Sequence, residues 1–240
     1  MSNLRPFWRY YGGKWRAAPR YPAPRFDTIV EPFAGAAGYS LRYPSRRVIL
    51  VEKYAVIAEV WRYLIAVKAS EVLRIPTVDR VADLPAWVPQ GARWLVGFVM
   101  GAGQAAPRPT MSAGLRKFRA LGKGAYGWSE GHRARVAEQV ASIRHWRVIE
   151  GDYSAAPDVE ATWFIDPPYQ GPSGRHYRHG SAAIDFAALG RWSRARAGQV
   201  VACEALGADW LPFVPHSRPA RSAMNRRPAL VEAIWTGGAP

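Results

Sequence analysis

The stretch Ala161-Thr162-Trp163-Phe164-Ile165-Asp166-Pro167-Pro168-Tyr169 joins a hydrophobic run to an abrupt stop. Its first five residues are apolar or β-branched, a pattern that predicts a buried β-strand. The two prolines cannot donate hydrogen bonds to a neighbouring strand and they hold the backbone extended, so the strand must end before them. The strand is therefore followed by a rigid loop that carries a carboxylate, free backbone carbonyls and an aromatic ring.

Two earlier hydrophobic runs also end in an acidic residue. Residues 26–30 lead into Glu31, and residues 47–51 lead into Glu52. The segment 37–43 between these predicted strands is long enough for a short helix, and apolar residues recur at helical spacing after Glu52. Alternating strands and helices predict an α/β fold with a doubly wound, mostly parallel sheet covered on both faces. Ligands collect at the carboxyl ends of the strands in such sheets.

The composition indicates a globular chain. Its 240 residues are 49% hydrophobic, which is enough to bury a sizeable core. The single cysteine, Cys203, excludes a disulfide framework and fits a reducing compartment, so we expect a cytoplasmic protein. No run approaches the roughly 18 apolar residues that a membrane span needs, and we expect no membrane partner.

The chain carries a large positive charge. Its formal net charge is +15, from 33 basic and 18 acidic residues. Such a surplus favours a polyanionic partner, with nucleic acid first. Most of the basic residues are arginine, however, and an arginine excess also follows from GC-rich coding. Charge alone therefore leaves the partner open.

The segment 70–147 differs from the rest of the chain. Residues 101–127 are rich in Gly, Pro and Ala and carry several basic side chains. Ser129 then fits a helix N-cap, and apolar residues follow at helical spacing. We interpret 70–147 as an inserted region made mainly of helices and loops.

Small residues follow the strand that ends at Glu31. The pattern Phe33-x-Gly35-x-Ala37-Gly38 would let a ligand approach the backbone closely. Such turns are common, and this one is not the Gly-x-Gly-x-x-Gly of dinucleotide folds. Glu52 lies at the next strand end, where a carboxylate can accept both hydroxyls of a ribose. A surface glutamate would explain Glu52 equally well, but turn and carboxylate together favour an adenosine-containing ligand.

The loop 166–169 suits an amino group on a flat heterocycle. Such an amino group is a poor nucleophile because its lone pair is delocalised into the ring. Hydrogen bonds from its two N–H groups to the Asp166 carboxylate and the Pro167 carbonyl would favour a pyramidal nitrogen. The ring of Tyr169 can stack on such a heterocycle. If the heterocycle is a base of a nucleic-acid duplex, it must leave the duplex to fit.

In this order, the elements resemble the DNA adenine methylase (Dam-like) family of S-adenosylmethionine-dependent amino-methyltransferases. That family has an aromatic–Gly–Gly–Lys element, a cofactor turn, an acidic strand end, a target-recognition insertion and an Asp-Pro-Pro-Tyr loop. The corresponding elements here are Tyr10-Tyr11-Gly12-Gly13-Lys14, residues 31–38, Glu52, residues 70–147 and residues 166–169. Gly151-Asp152-Tyr153 is similar to the element beside the cofactor's adenine. The last hydrophobic strand, preceded by Asn225-Arg226-Arg227, is similar to the family's final hairpin.

The resemblance implies a Rossmann-like class I methyltransferase fold of bacterial or phage origin. Residues 1–69 and 148–240 would form the catalytic domain, and 70–147 the target-recognition region. It implies this set of contacts to S-adenosylmethionine: Tyr10, Lys14, Glu31, Phe33, Gly35, Glu52, Asp152 and Tyr153. The chain departs from the family at Ala37, where a second glycine is usual, and at Glu52, where aspartate is usual.

The implied reaction is direct methyl transfer to the N6 amine of adenine in DNA. The catalytic residues would be Asp166, Pro167, Pro168 and Tyr169. N4-cytosine methylation is an alternative, because the same loop can hold the amino group of cytosine. Methylation of a protein glutamine is disfavoured by Asp166, since asparagine commonly stands there. A non-catalytic DNA-binding protein with this fold is a further alternative, against which the intact loop argues.

Basic side chains in the insertion and in later loops are candidates for contacts to DNA phosphates. They are Arg108, Arg116, Lys117, Arg119, Lys123, Arg175, Arg178, Arg218, Arg221, Arg226 and Arg227. His176 and His179 lack further clustered ligands, so we expect no metal. A restriction endonuclease acting in the same system is a partner that the resemblance suggests.

Overall fold

The architecture is built on one seven-stranded sheet, seen in a computed structural model that describes residues 4–122, 126–217 and 231–238. The strand order is β3-β2-β1-β4-β5-β7-β6. The first five strands in that order are parallel, whereas β7 is antiparallel to both β5 and β6. The strands are β1 (Thr28–Glu31), β2 (Arg47–Glu52), β3 (Arg147–Glu150), β4 (Ala161–Ile165), β5 (Gly198–Ala205), β6 (Val214–Ser217) and β7 (Glu232–Gly237).

The sheet confirms the predicted α/β class and is compatible with a Rossmann-like fold. Its order runs outward in one direction from β1 to β3 and in the other from β4 to β5, so the direction of winding changes between β1 and β4. A crevice forms at such a switch point, outside the carboxyl ends of the strands. The loop that follows β4, which begins at Asp166, therefore lies at the crevice. The antiparallel pair of β6 and β7 agrees with the hairpin that the resemblance implied, while Asn225 to Arg227 lie outside the described residues.

The central strands are buried on both faces, which explains their unbroken apolar sequence. All five residues of β4 are buried. Phe164 belongs to one hydrophobic cluster, whereas Trp163 and Ile165 belong to a second cluster on the opposite face. The alternation follows from the two-residue period of a strand. The buried strand predicted for 161–165 is confirmed.

Helices cover both faces of the sheet. They are α1 (Ala55–Ala66), α2 (Ala69–Arg74), α3 (Gln90–Val99), α4 (Ala113–Ala120), α5 (Glu130–Val140) and α6 (Phe186–Arg194). Leu189 of α6 belongs to the same cluster as Trp163, whereas Ile57 of α1 belongs to the same cluster as Phe164. No helix among the described residues combines the length and the apolar character needed to cross a membrane.

Residues 70–147 are mainly helices and loops, as the sequence predicts. The predicted N-cap is confirmed, because Ser129 Oγ accepts a hydrogen bond from the backbone N–H of His132 at 3.3 Å. The helices of this segment share a hydrophobic cluster with the sheet: Val72 and Val136 lie in the same cluster as Leu50 of β2. The two parts are thus packed on a common core.

The helix predicted for 37–43 is only a single 3-10 turn, Ser40–Arg42. Ala37 adopts a left-handed backbone conformation with φ of 48°, which an α-helix cannot include. Helical geometry therefore starts only after this residue, and it ends at Arg42 because Tyr43 precedes Pro44. The connection from Glu31 to Arg47 is therefore made mostly of irregular backbone, with one 3-10 turn.

Trp61 of α1 connects the core to that turn. Its ring centroid lies 5.2 Å from that of Trp8 and 5.8 Å from that of Trp146. Its indole N–H donates a hydrogen bond of 2.8 Å to the carbonyl of Gly35. A single buried side chain thereby supports both the packing of α1 and the backbone beside the crevice.

We expect Trp61→Phe to lower the free energy of unfolding by about 2–4 kcal/mol, because it leaves a small cavity and removes the hydrogen bond to the carbonyl of Gly35. Chemical denaturation measures the change. Trp87→Phe is the matched control: Trp87 is 51% exposed, so its replacement should cost less than about 0.5 kcal/mol. Equal losses for the two variants would contradict the role assigned to Trp61.

Candidate functional site

A cavity opens at the carboxyl ends of β1, β2 and β4. Its empty volume is about 880 Å³, part of which is open to solvent. Every residue predicted to contact a cofactor lines it: Tyr10, Lys14, Glu31, Phe33, Gly35, Glu52, Asp152 and Tyr153. Of the four residues predicted to be catalytic, Asp166 and Pro168 line the same cavity, whereas Pro167 and Tyr169 are not among its lining residues.

The turn after β1 brings backbone close to the cavity. Gly35 has a φ of 46°, and a Cβ atom there would lie 3.1 Å from the ring of Tyr10. Glycine therefore suits this position for both conformation and space. Ala37 has a similar left-handed conformation, for which an alanine costs about 1–2 kcal/mol. The second glycine usual in the resembled family would adopt this conformation without that strain.

Glu52 holds the loops around the cavity. One carboxylate oxygen accepts the N–H of Gly35 at 2.9 Å, and the other accepts the N–H of Tyr54 at 2.8 Å. Burial raises the pKa of Glu52 above its ordinary value, while the backbone N–H groups oppose that rise. Each carboxylate oxygen can accept a second hydrogen bond. Glu52 can thus organise the turn and still bind hydroxyl groups of a ligand.

Two aromatic side chains, Phe33 and Tyr153, line the cavity. The rings of Phe33 and Tyr153 lie with centroids 5.7 Å apart and planes inclined by 29°. Asp152 beside them pairs with Lys53 at 3.0 Å and caps the short helical turn by accepting from the N–H of Ser154. These rings offer flat apolar surface, which suits the heterocycle of a nucleoside.

Asp166 begins the loop after β4 and faces a lysine from the N-terminal segment. Lys14 Nζ donates to both carboxylate oxygens of Asp166, at 2.6 and 2.8 Å, and to the carbonyl of Gly12 at 3.2 Å. Burial disfavours the charged ammonium, but the carboxylates of Asp166 and Glu232 hold the pKa of Lys14 above its ordinary value. Burial also raises the pKa of Asp166, against the effect of Lys14. Lys14 therefore lies beside the loop carboxylate as well as in the cavity.

Two acidic residues that sequence reasoning missed support the loop. The hydroxyl of Tyr169 donates to Glu232 Oε1 at 2.8 Å. The backbone N–H of Gln170 donates to the carboxylate of Glu204 at 3.0 Å, and the indole of Trp210 donates to the same oxygen at 3.1 Å. Glu232 is the first residue of the mostly apolar strand β7, and Glu204 lies near the end of β5. A carboxylate in such a strand was the signal that could have identified them.

Tyr177 is a further cavity residue that the sequence did not indicate. Its ring lies 6.0 Å from that of Tyr10 and 5.3 Å from that of Tyr11. Its hydroxyl donates to the carbonyl of Tyr11 at 3.3 Å. The loop after β4 thereby closes over the N-terminal aromatic–Gly–Gly–Lys element. This contact spans 166 positions of the chain, which no local pattern encodes.

A second cleft adjoins the first and is basic. It has an empty volume of about 2070 Å³ and shares residues 10–13 with the cavity. Its arginines are Arg5, Arg9, Arg16 and Arg135, and no acidic side chain is among its lining residues in the described part of the chain. Burial lowers the pKa of Arg135, and the nearby charges of Arg5 and Arg9 lower it further. Cations that repel one another in a concave surface favour an anionic ligand.

The basic residues predicted to bind DNA fall into different environments. Arg119 forms two hydrogen bonds with the carboxylate of Asp79, and Arg116 donates to the carbonyl of Met111. Arg178 lines the cavity. Arg108, Lys117 and Arg175 are exposed. Lys123, Arg218, Arg221, Arg226 and Arg227 lie outside the described residues.

No protein-family model matches this chain, and no curated protein sequence is significantly similar to it. Within the described residues, no group of three or more His, Cys, Asp or Glu side chains is arranged to hold a metal ion.

Glu31 at the end of β1 is 3% exposed and accepts the N–H of Ser40 at 2.7 Å. Burial raises its pKa from 4.5 to about 8. Between these two values the folded chain holds a proton that the unfolded chain has released, so the free energy of unfolding falls as the pH rises. The slope contributed by this group is at most about 1.4 kcal/mol per pH unit.

We expect Glu31→Gln to remove this contribution, because an amide can still accept from Ser40 but does not titrate. The stability of the variant relative to the unaltered protein should therefore increase from pH 5 to pH 8. Denaturation midpoints across that range measure the difference. Parallel curves for the two proteins would mean that Glu31 is already ionised in the folded state.

Proposed function

We propose that the protein is an S-adenosylmethionine-dependent DNA methyltransferase that modifies the N6 amino group of adenine. The observation that carries this proposal is the position of Asp166 at the end of β4, on the same cavity as Glu31, Phe33 and Glu52. An acceptor for an amino group and a nucleoside-type pocket thus share one space. Such a shared space is what direct transfer between two bound molecules requires.

The lining of the cavity fits S-adenosylmethionine. Glu52 would accept hydrogen bonds from the ribose hydroxyls, and the rings of Phe33 and Tyr153 would pack on the adenine. Asp152, which adjoins Tyr153, can accept a hydrogen bond from the exocyclic amine of that adenine. The bound cofactor supplies an electrophilic methyl group on a positively charged sulfur. The residues of the chain supply binding and orientation.

Asp166 and the carbonyl of Pro167 would accept the two N–H groups of the target amine. This arrangement favours a pyramidal nitrogen whose lone pair is available for attack. As the nitrogen gained the methyl group, the bond from that group to sulfur would break and leave a neutral thioether. The nitrogen would become positively charged and would then release one proton to solvent. The carboxylate of Asp166 stabilises that charge in a partly buried setting, where electrostatic effects exceed those in water.

The ring of Tyr169 is the surface on which the target base would stack. Its hydroxyl is fixed by Glu232, so the ring is held in place before the base arrives. Fixing the ring reduces the order that must be created when the base binds. The base must leave the duplex to reach this position.

The basic cleft supports DNA as the partner. It adjoins the cavity through Tyr10 to Gly13, so a duplex held there would lie next to the loop that binds the base. None of Arg5, Arg9, Arg16 and Arg135 forms a salt bridge to any residue that the structure describes. Their charges are therefore available to phosphates.

The decisive experiment incubates the protein with labelled S-adenosylmethionine and DNA of mixed sequence, followed by digestion and nucleoside analysis. We expect N6-methyladenine. Asp166→Ala should reduce transfer on the order of 10³-fold, because the acceptor for the amine and its developing charge is lost. Calorimetry should show that this variant still binds the cofactor.

Other outcomes of that experiment would redirect the proposal. N4-methylcytosine without N6-methyladenine would reassign the base while keeping the reaction class. Cofactor binding without any methylated nucleoside would contradict DNA methylation, and retained transfer by Asp166→Ala would contradict the role of that residue.

The cleft makes a separate prediction about salt. Arg9→Ala and Arg16→Ala should each lower the slope of log affinity against log salt concentration by about 1, because each loses one phosphate contact. Binding titrations with duplex DNA at several salt concentrations measure the slope. Arg80→Ala is the control, since Arg80 is paired with Asp83 at 2.7 Å and lines neither cavity. Equal slopes for all three variants would contradict DNA binding in the cleft.

A further inference from the structure

Two carboxylates share one ammonium group beside the loop. Lys14 Nζ is 2.6 Å from Asp166 Oδ1 and 3.8 Å from Glu232 Oε1. The three side chains are between 11% and 19% exposed. The ammonium of Lys14 therefore contacts the carboxylate of Asp166 directly. A small movement of the lysine side chain would bring it into direct contact with Glu232.

The observed position of Lys14 obstructs the amine site. Its three N–H groups are directed to the two oxygens of Asp166 and to the carbonyl of Gly12. A target amino group would direct one N–H to the same carboxylate and the other to the carbonyl of Pro167, so it would have to share an oxygen of Asp166 with Lys14. An ammonium at that distance would also oppose the positive charge that forms on the target nitrogen during transfer. Transfer is therefore favoured only when Lys14 has left Asp166.

We infer that Glu232 is a positioning residue that receives Lys14 when the target amino group occupies Asp166. This inference rests on the proposed function. The flexible stem of lysine can make the movement, whereas Glu232 is held by the sheet, where it pairs with Ala205 of β5 and Ser217 of β6. The exchange leaves neither Lys14 nor Asp166 without a partner in this partly buried setting.

Glu204 shows what a purely structural carboxylate looks like in the same region. Its oxygens accept from the backbone of Gln170 and Ala205 and from the indole of Trp210, which are all neutral donors. Glu232 differs because it faces a cation that already has another carboxylate. The Glu232 oxygen that accepts from the hydroxyl of Tyr169 at 2.8 Å is also the one closest to Lys14.

The test is Glu232→Gln, which keeps an acceptor for Tyr169 but removes the charge that attracts Lys14. We expect the rate of single-turnover methyl transfer to fall roughly 10- to 100-fold, a range typical of strongly coupled neighbours. Cofactor affinity and melting temperature should stay close to those of the unaltered protein. Glu232→Asp, which keeps the charge, should restore most of the rate.

Glu150→Gln is the matched control. Glu150 also lies at a strand end and pairs with a cation, Arg62 at 2.8 Å, but it lines neither cavity. Its replacement should leave the rate unchanged. A double-mutant cycle with Lys14→Met completes the test: if Glu232 acts through Lys14, Glu232→Gln should have little further effect in that background.

Three results would overturn the inference. They are an unchanged rate in Glu232→Gln, a loss of rate matched by a loss of cofactor affinity or stability, and losses that multiply in the cycle. If the unaltered protein methylates no DNA base, the proposed function fails together with this inference. Failure of the inference alone is recognised when the unaltered protein methylates DNA and any one of these three results is found.

Discussion

The contact between Lys14 and Asp166 joins the two ends of the site. Lys14 belongs to the N-terminal segment and Asp166 to the loop after β4, so the pair spans 152 positions of the chain. Removing one partner of a buried ion pair leaves an uncompensated charge, at a cost of about 3–5 kcal/mol. The pair links the segment that carries Tyr10 and Gly12 to the loop after β4. The same contact ties together the predicted cofactor pocket and the predicted amine site.

Three adjacent strand ends present carboxylates to one small space, and each is stabilised in a different way. Glu31 is buried with a pKa of about 8, so it is neutral over much of the physiological range. Glu52 is held by two backbone N–H groups. Asp166 is paired with an ammonium. This division limits the repulsion that three charges would otherwise create in a medium of low dielectric constant. It also leaves the charge on Asp166 as the one that a movement of Lys14 can uncover.

The arginine surplus acquires meaning only through its placement. In the sequence, Arg119 and Arg9 are both simply basic residues. The fold pairs Arg119 with Asp79, at a contact 40 positions distant, and sets Arg9 in a cleft whose described lining has no acidic side chain. Salt bridges at the surface contribute little to stability, whereas unpaired cations in a concave surface attract a polyanion. The N-terminal arginines are therefore better candidates for DNA contacts than Arg119.

The amino-acid sequence by itself determined the strand 161–165, its stop at Asp166 and the turn around Gly35. Proline, glycine and apolar runs restrict the backbone within a few residues, so these features are local. The sequence also predicted that Glu31, Glu52 and Asp166 would lie near one another, because parallel strands place their carboxyl ends along one edge. Only the tertiary structure decided the partners of those residues. Glu232 beside Tyr169, Lys14 on Asp166 and the basic cleft join positions far apart in the chain, and such contacts depend on how strands and helices pack rather than on any local pattern.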